Sequence, residues 1–290
     1  MNTELVIRGM TRPEVDVLID WAAREGWNPG LHDAEIFWAH DPDAFIVAEL
    51  AGELIGGGAI TAYGDEFGFM GFFIVRPEFR GRGYGNALWL ARRDRLLARL
   101  RPGAALGMDG AFEMEPYYAR GGFVTSHRDI RFSAEIPSDQ AAPSASGEEV
   151  VPLGEVDFPD VLAYDRACFP AQRETFLRAW VNQPDALALT FQREGRFCGY
   201  GVIRRCRSGC KIGPLFADDL AVATTLYHGL ARSAAGGPLF LDVPENNPAG
   251  LALARNERMT QVFGCARMYL GTPPAIADDR VFGVTTFELG

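Results

Sequence analysis

Apolar and polar positions along the first half of the chain follow helix and strand periods in turn. Residues 11–24 carry apolar side chains three to four positions apart behind a Thr-Arg-Pro start, which predicts a helix capped by Thr11. Apolar runs bounded by turn residues predict strands over about 44–50, 54–63 and 68–75. The other predicted elements are a helix over 86–100, a strand over 104–108, a short helix over 113–120 and a strand over 123–132. Strands that alternate with helices imply an α/β fold with a mixed sheet, whose site lies where strands end and helices begin.

The second half repeats part of this pattern. Residues 184–205 match residues 42–63 in length and order: each segment opens with Pro-Asp-Ala and reads as a strand, a polar hairpin turn and a second strand. The stretch 138–147 is rich in Ser, Ala and Pro, lacks an apolar period and is typical of a linker. We therefore predict two domains of similar plan, 1–137 and 148–290, related by tandem duplication.

Charge and composition narrow the class of protein. The 290 residues include 28 Lys and Arg against 38 Asp and Glu, a net charge of −10, which disfavours nucleic acid and anionic membranes as partners and permits a cationic amine. No apolar run could span a bilayer and the first residues lack a signal-peptide pattern, so we expect a cytoplasmic protein. The 5 cysteines all lie in the second half, and neither they nor the 4 scattered histidines complete a zinc site, so no metal is predicted.

The segment Phe79–Asn86, which reads FRGRGYGN, has glycine at every second position between a predicted strand and a predicted helix. Glycines at a helix N-terminus leave backbone N–H groups exposed beside the positive end of the helix dipole, and they let a bulky anion approach closely. The alternative, a tight turn without a ligand, does not need Arg80 and Arg82 between the glycines. The spacing also differs from the P-loop and from the dinucleotide-binding Gly-x-Gly-x-x-Gly pattern. The segment therefore predicts a phosphate-binding loop.

With its flanks, this loop resembles motif A of the GNAT superfamily, the Gcn5-related N-acetyltransferases. Residues 75–85 fill every defined position of the pattern V-x-P-x-x-[RQ]-G-x-G-x-[GA], and residues 118–123 resemble the Y-x-x-x-G-F element that follows it. The second half resembles a degenerate copy of the same domain. The resemblance implies two tandem GNAT-like domains, each a mixed, largely antiparallel sheet flanked by helices, and activity as an acyl-CoA-dependent N-acyltransferase.

The resemblance further implies acetyl-CoA or another acyl-CoA as co-substrate. Its pyrophosphate would lie on the backbone N–H groups of residues 80–85, with Asn86 opening the helix, and its pantetheine arm would pair with the strand edge at residues 73–75. A backbone N–H near Phe73 or Ile74 would polarise the thioester carbonyl. The residues predicted to bind the co-substrate are Phe73, Ile74, Val75, Arg80, Gly81, Arg82, Gly83, Tyr84, Gly85 and Asn86.

Acyl transfer to an amine needs a general acid and a general base. Tyr118 matches the family tyrosine that protonates the departing thiolate, and the alternative is that it only packs. The strand over 68–75 contains no carboxylate that could act as the base. The candidate bases are therefore the loop carboxylates Glu66, Asp109 and Glu113, with Asp65 and Glu115 beside them. Each could instead be a solvated carboxylate, and Asp109 could cap the short helix.

The second half lacks the glycine loop. In its place, Asp218 and Asp219 stand at the start of a predicted helix and would repel a pyrophosphate. We therefore expect 148–290 to bind no CoA and to form part of the acceptor pocket or an interface. No cysteine of the first half could carry an acyl group, which favours direct transfer in a ternary complex. The expected acceptor is the primary amine of a small molecule; a non-catalytic acyl-CoA sensor and a homodimer stay open.

Overall fold

The computed structural model describes residues 4–138 and 150–290, so all but the first residue of the predicted linker 138–147 lies outside the described residues. The elements of the first half are β1 (Leu5–Gly9), α1 (Arg12–Arg24), α2 (Asp33–His40), β2 (Phe45–Leu50), β3 (Glu53–Tyr63), β4 (Phe67–Val75), α3 (Tyr84–Leu97), β5 (Ala105–Ala111), α4 (Glu115–Arg120) and β6 (Val124–Ile136). The elements of the second half are β7 (Val150–Pro152), α5 (Phe158–Cys168), α6 (Glu174–Val181), β8 (Ala186–Arg193), β9 (Arg196–Arg205), β10 (Cys210–Ala217), α7 (Leu220–Ala231), β11 (Gly237–Pro244), α8 (Pro248–Asn256), β12 (Thr260–Leu270) and β13 (Val281–Gly283). Across these ranges, no helix has both the length and the apolar character that a membrane span requires.

The predicted mixed α/β fold is confirmed, and every element predicted in the first half is present. The structure adds β1 and α2, which were not predicted. At the start of α1, the Thr11 N–H donates to the Glu14 carboxylate at 2.7 Å. Helix α3 begins at Tyr84, two residues before the predicted start, because Gly83 precedes it with a φ of 87°.

The strands form one 13-stranded sheet in the order β1-β2-β3-β4-β5-β12-β6-β11-β10-β9-β8-β7, with β13 paired to β10. Strand β12 of the second half lies between β5 and β6, and β6 of the first half lies between β12 and β11. Each half therefore contributes a strand to the other half's part of the sheet. Because of this exchange, residues of the second half reach the region where β4 and β5 end.

Strands β4 and β5 are parallel neighbours that diverge before their ends. Their pairing stops at Met70 and Met108. Just beyond, β4 bulges at Phe72, whose φ of 52° lies in the left-handed region that phenylalanine rarely adopts. The buried Arg92 guanidinium of α3 donates to the Gly71 carbonyl beside the bulge at 2.5 Å, and this contact supports the distorted backbone. The divergence leaves an open wedge between the two strands.

The parallel pair β10 and β11 occupies the corresponding place in the second half, and the chain itself fills the wedge. Pairing of β10 with β11 stops at Ile212 and Leu241. Beyond that point β13 pairs with β10, joining Gly283 to Leu215 and Val281 to the next residue of β10. In the second half, β13 therefore occupies the place that is an open wedge beside β4.

Candidate active site

A cavity of about 620 Å³ opens where β4 and β5 diverge. The first half supplies the end of β4, the glycine loop, the end of β5 and α4 as walls. The second half supplies residues 263–265 of β12 and residues 287–288 as further walls. A concave, largely apolar cavity with a few polar groups is the usual form of a small-molecule site.

The glycine loop presents unbonded backbone donors at the edge of this cavity. Gly81 and Gly83 have φ values of 73° and 87°, a region that favours glycine. Within the described residues, none of the backbone N–H groups from Gly81 to Asn86 donates to a protein acceptor. The Arg80 N–H differs, because it donates to the Pro77 carbonyl at 3.2 Å. The free donors therefore start at Gly81, one residue later than expected from the sequence.

Gly85 lacks a side chain for a different reason. Its φ is not in the left-handed region, and a Cβ built there would lie 3.4 Å from the nearest atom, a methyl of Val75. That distance is an ordinary van der Waals contact, so neither the backbone nor the packing demands glycine at this position. Gly85 lines the cavity, so a larger side chain would project into space that a ligand could use.

The two arginines of the loop have separate contacts. The Arg80 side chain donates to the Val75 carbonyl at 2.7 Å and to the Glu25 carboxylate at 2.5 Å, which ties the loop to β4 and α1. The Arg82 guanidinium lies 5.8 Å from the centre of the Phe79 ring and has no ion-pair partner among the described residues. Arg82 is thus a cation at the solvent side of the loop.

The end of β4 offers a free strand edge to the cavity. Phe73, Ile74 and Val75 line it, and the other edge of β4 is occupied by β3, where Gly57 pairs with Ile74 and Gly56 with Val75. Because β5 has diverged, no strand of the described residues pairs with the cavity-side edge at these positions. An extended arm with amide groups could pair there.

Tyr118 lies on the cavity wall and is only 5% exposed. Its ring packs against Trp89 at 4.9 Å between centroids. Burial raises the pKa of Tyr118 to about 12, so its phenol keeps its proton at neutral pH. The neighbouring Tyr117 is engaged otherwise, because its hydroxyl donates to the Asn86 side-chain oxygen at 3.1 Å. Tyr118 is therefore the better placed of the two phenols to donate a proton inside the cavity.

The candidate bases do not all meet at this cavity. Glu66 stands before β4 at the opposite end of that strand, 3.7 Å from Arg101, and does not line the cavity. Glu113 lines it but is exposed to solvent. Asp109 lines it as well, and it lies inside β5, so it does not cap the short helix as one reading of the sequence suggested. Geometry thus removes Glu66 from the site and keeps the other two near it.

Asp109 is part of a buried cluster from three strands. Both of its oxygens accept hydrogen bonds from the Arg267 guanidinium, at 2.5 and 2.7 Å. The Asp129 carboxylate lies 3.3 Å from the same guanidinium. Burial raises the pKa of Asp109 to about 7; Arg267 opposes this shift and the Asp129 charge adds to it. One cation thus serves two buried carboxylates.

The sequence reasoning missed every cavity residue from the second half. Cys265 lines the cavity although the first half contains no cysteine, because the strand exchange brings this residue of the second half there. Burial, with Asp109 and Asp129 adding to it, raises the pKa of the Cys265 thiol, which makes it a poor nucleophile. Glu288 and the aromatic residues Phe263 and Phe287 were missed for the same reason, since no local pattern reveals which half a segment joins.

In the second half, the position equivalent to the glycine loop is filled by side chains. The Asp219 carboxylate accepts from the Val222 N–H at 2.9 Å and caps α7. The Asp218 carboxylate accepts from the Tyr164 hydroxyl at 3.0 Å. At this helix start, the Asp219 carboxylate thus takes a donor that an anion could otherwise use, and the two carboxylates place negative charge there.

Family models agree with this architecture. An acetyltransferase (GNAT) family model matches residues 13–104, and an acetyltransferase (GNAT) domain model matches residues 161–283. The chain belongs to the GNAT superfamily, with one GNAT domain in each half, and is an acyltransferase of that class.

The similarity to known proteins extends over nearly the whole chain. A protein named holothin acyltransferase, from Pseudoalteromonas sp. (strain SANK 73390), is 26% identical over 96% of this chain and 92% of its own length. The crystal structure of a putative acetyltransferase from Pyrococcus horikoshii has a TM-score of 0.83 at 22% identity and covers 100% of this chain and 97% of that one. A tandem GNAT protein from the clavulanic acid biosynthesis pathway has a TM-score of 0.62 at 16% identity, covering 93% and 99%. These structures share the tandem fold.

Proposed function

We propose that this protein moves an acyl group from acetyl-CoA, or another acyl-CoA, to the primary amine of a small molecule by direct transfer. One observation carries the proposal: unbonded backbone donors, a free strand edge and a buried phenol all border the same cavity. An acyl-CoA needs each of these groups, for its pyrophosphate, its amide-containing arm and its departing sulfur.

The residues present fit an acyl-CoA. The N–H groups from Gly81 to Asn86 would bind the pyrophosphate at the start of α3, and Arg82 would add a positive charge beside it. The edge at residues 73–75 would pair with the pantetheine amides, and an N–H near Phe73 would bind the thioester oxygen. The co-substrate supplies the activated acyl group.

Tyr118 is the proposed general acid. Its phenol holds a proton at neutral pH and lies on the cavity wall, where it can donate to the departing sulfur. Cys265 is also in the cavity, but its raised pKa argues against an acyl-cysteine intermediate. We therefore propose that acyl-CoA and amine are bound together when transfer takes place.

We propose that the second half completes the acceptor pocket and does not bind CoA itself. Asp219 caps α7 and β13 fills the wedge beside β10, which leaves no place for a pantetheine arm there. The same half supplies walls to the cavity of the first half. These different roles agree with two halves that share an order of elements but differ in their loops.

The test is an amine screen with the full chain and acetyl-CoA, in which free CoA is measured and acylated products are identified by mass spectrometry. Because a relative matched over 96% of this chain is named holothin acyltransferase, holothin belongs in the panel beside simple amines. Amine-dependent release of CoA with an N-acyl product supports the proposal. Tight acetyl-CoA binding without amine-dependent release would instead indicate an acyl-CoA sensor.

A further inference from the structure

The segment that follows β13 runs from the second half into the cavity of the first. Near its start, the Val284 N–H donates to the Asp242 carbonyl of β11 at 2.9 Å. Near its end, the Tyr63 hydroxyl of β3 donates to the Leu289 carbonyl at 2.7 Å. We call residues 284–290 the end segment. A hydrogen bond to the second half holds it near its start, and a hydrogen bond to the first half holds it near its end. They also lie beyond the ranges that the two family models match.

Glu288 of the end segment lies directly against the bulged strand. A Cβ built on Gly71 would be 1.8 Å from the Glu288 carbonyl oxygen, so glycine is required at 71 for the end segment to approach β4. Glu288 lines the cavity and is 3% exposed. Its Oε2 atom is buried and has no hydrogen-bond partner within the described residues. A buried carboxylate oxygen without a donor is costly, which points to a ligand that supplies one.

Two of the three cations near Glu288 are paired with other carboxylates. Arg131 binds both oxygens of Asp242, at 2.6 and 2.7 Å, and Arg204 binds Asp33 at 3.0 Å. Lys211, the remaining cation of this group, donates to a backbone carbonyl at 3.2 Å. With Glu288 as a carboxylate, these charged groups comprise three cations and three anions, and Oε2 accepts no hydrogen bond from any of the three cations.

Aromatic side chains form the walls around this carboxylate. Trp27 and Phe72 are neighbours with ring centroids 6.5 Å apart, and Phe263 and Phe287 are neighbours at 6.2 Å. All of them line the same cavity as Glu288. Such walls favour an apolar, ring-bearing body, while the carboxylate favours an amine.

We propose that Glu288 binds the acceptor amine and acts as its general base, and that the acceptor is a primary amine on an apolar, ring-bearing body. This inference rests on the proposed function. Among the described residues of the first half, no carboxylate of the cavity wall is equivalent: both oxygens of Asp109 are held by Arg267, Glu25 pairs with Arg80, and Glu113 is exposed. The end segment therefore completes the active site of the other half.

The proposed step is balanced in protons and electrons. The ammonium form of the acceptor gives one proton to the Glu288 carboxylate. The nitrogen lone pair forms a bond to the thioester carbonyl carbon, and the C–S bond breaks with its electrons on sulfur. Tyr118 protonates that thiolate, and the second proton lost by the nitrogen restores the phenol. Glu288 then releases its proton to solvent, leaving an amide, free CoA thiol and one proton.

The experiment compares the wild type with Glu288→Gln and with the control Glu35→Gln, an exposed carboxylate outside the cavity. Phenethylamine is the ring-bearing probe, spermidine the polar one, and acetyl-CoA the donor. We expect Glu288→Gln to lower kcat/KM for phenethylamine by about 100-fold near neutral pH, with the acetyl-CoA Kd unchanged. The loss should shrink as the pH approaches the pKa of the amine, because free amine then needs no base. The control should behave as the wild type, and phenethylamine should be preferred to spermidine.

The outcomes distinguish a failure of the proposed function from a failure of the inference about Glu288 alone. If the wild type releases no CoA with any amine, the proposed function and this inference both fall. If the wild type is active and Glu288→Gln matches it, or loses activity equally at every pH, this inference alone falls. Should Glu288→Gln unfold, Glu288→Asp replaces it, since it keeps the charge but withdraws the carboxylate. Its kcat should fall about tenfold at constant acetyl-CoA Kd, and an unchanged kcat would overturn the inference.

Discussion

Arg267 on β12 binds both carboxylate oxygens of Asp109 on β5, although the two residues belong to different halves of the chain. Asp129 on β6 approaches the same guanidinium at 3.3 Å. The contact joins the exchanged strand to the wall of the cavity. It links the stability of the sheet to the protonation of the cluster.

The first prediction concerns pH. The pKa of Asp109 is raised to about 7 in the folded protein, against an unfolded value of about 4. The folded state therefore holds this proton more tightly, and the contribution to stability, full below about pH 4, is lost as the pH rises through 7. Asp129→Asn removes the second carboxylate and lowers the pKa of Asp109. Urea unfolding from about pH 5 to pH 8 should show a smaller decline for Asp129→Asn than for the wild type. Equal slopes would contradict the cluster's role.

The second prediction concerns Gly85. Neither backbone conformation nor packing requires glycine there, so Gly85→Leu should leave the melting temperature unchanged or raise it. The new side chain should project into the cavity and weaken acetyl-CoA binding by about tenfold or more, measured by isothermal titration calorimetry. Gly154→Leu is the matched control, because a Cβ built on Gly154 would meet no atom within 4 Å and Gly154 lies outside the cavity. Equal affinity in both variants would argue that the loop does not contact the co-substrate.

The third prediction concerns Cys265. Because its thiol is buried and its pKa is raised, Cys265→Ala should retain wild-type kcat within about threefold, with a stability loss of about 1 kcal/mol from the lost sulfur. Intact-protein mass spectrometry after incubation with acetyl-CoA alone should find no acetyl group on this residue. An acetylated Cys265 that transfers its acyl group to an added amine would instead establish a covalent route.

The fourth prediction concerns stoichiometry. Since β13 fills the wedge beside β10 and Asp219 caps α7, we expect one acetyl-CoA per chain in a calorimetric titration. Asp219→Ala should cost about 1 kcal/mol of stability through the lost cap, and the stoichiometry should stay at one. Two sites per chain, in either protein, would show that the second half also binds acyl-CoA.

The sequence predicted the parts of the site whose signals are local. The run from β4 through the glycine loop to α3 depends on apolar periods and on glycines close together in the chain, and so does the hairpin of β8 and β9. By contrast, β1 has five residues and α2 has eight, too few for a clear period. Both were missed for that reason.

The strand exchange could not be predicted in the same way. The backbone hydrogen bonds of β12 could form equally well with strands of either half, and no residue pattern within β12 identifies its partner strands. Cys265 and Glu288 were therefore not expected at this site. Only the assembled sheet brings them next to Asp109 and Gly71.

If Tyr118 is the proton donor for acyl transfer in this cavity, loss of its hydroxyl should slow the transfer without weakening acetyl-CoA binding. Turnover of acetyl-CoA with the best amine should be measured for the wild type, Tyr118→Phe and the control Tyr117→Phe, whose hydroxyl is engaged with Asn86. We expect Tyr118→Phe to lower kcat by about 100-fold with an unchanged acetyl-CoA Kd, and Tyr117→Phe to lose far less activity. Wild-type turnover in Tyr118→Phe would contradict this role of Tyr118.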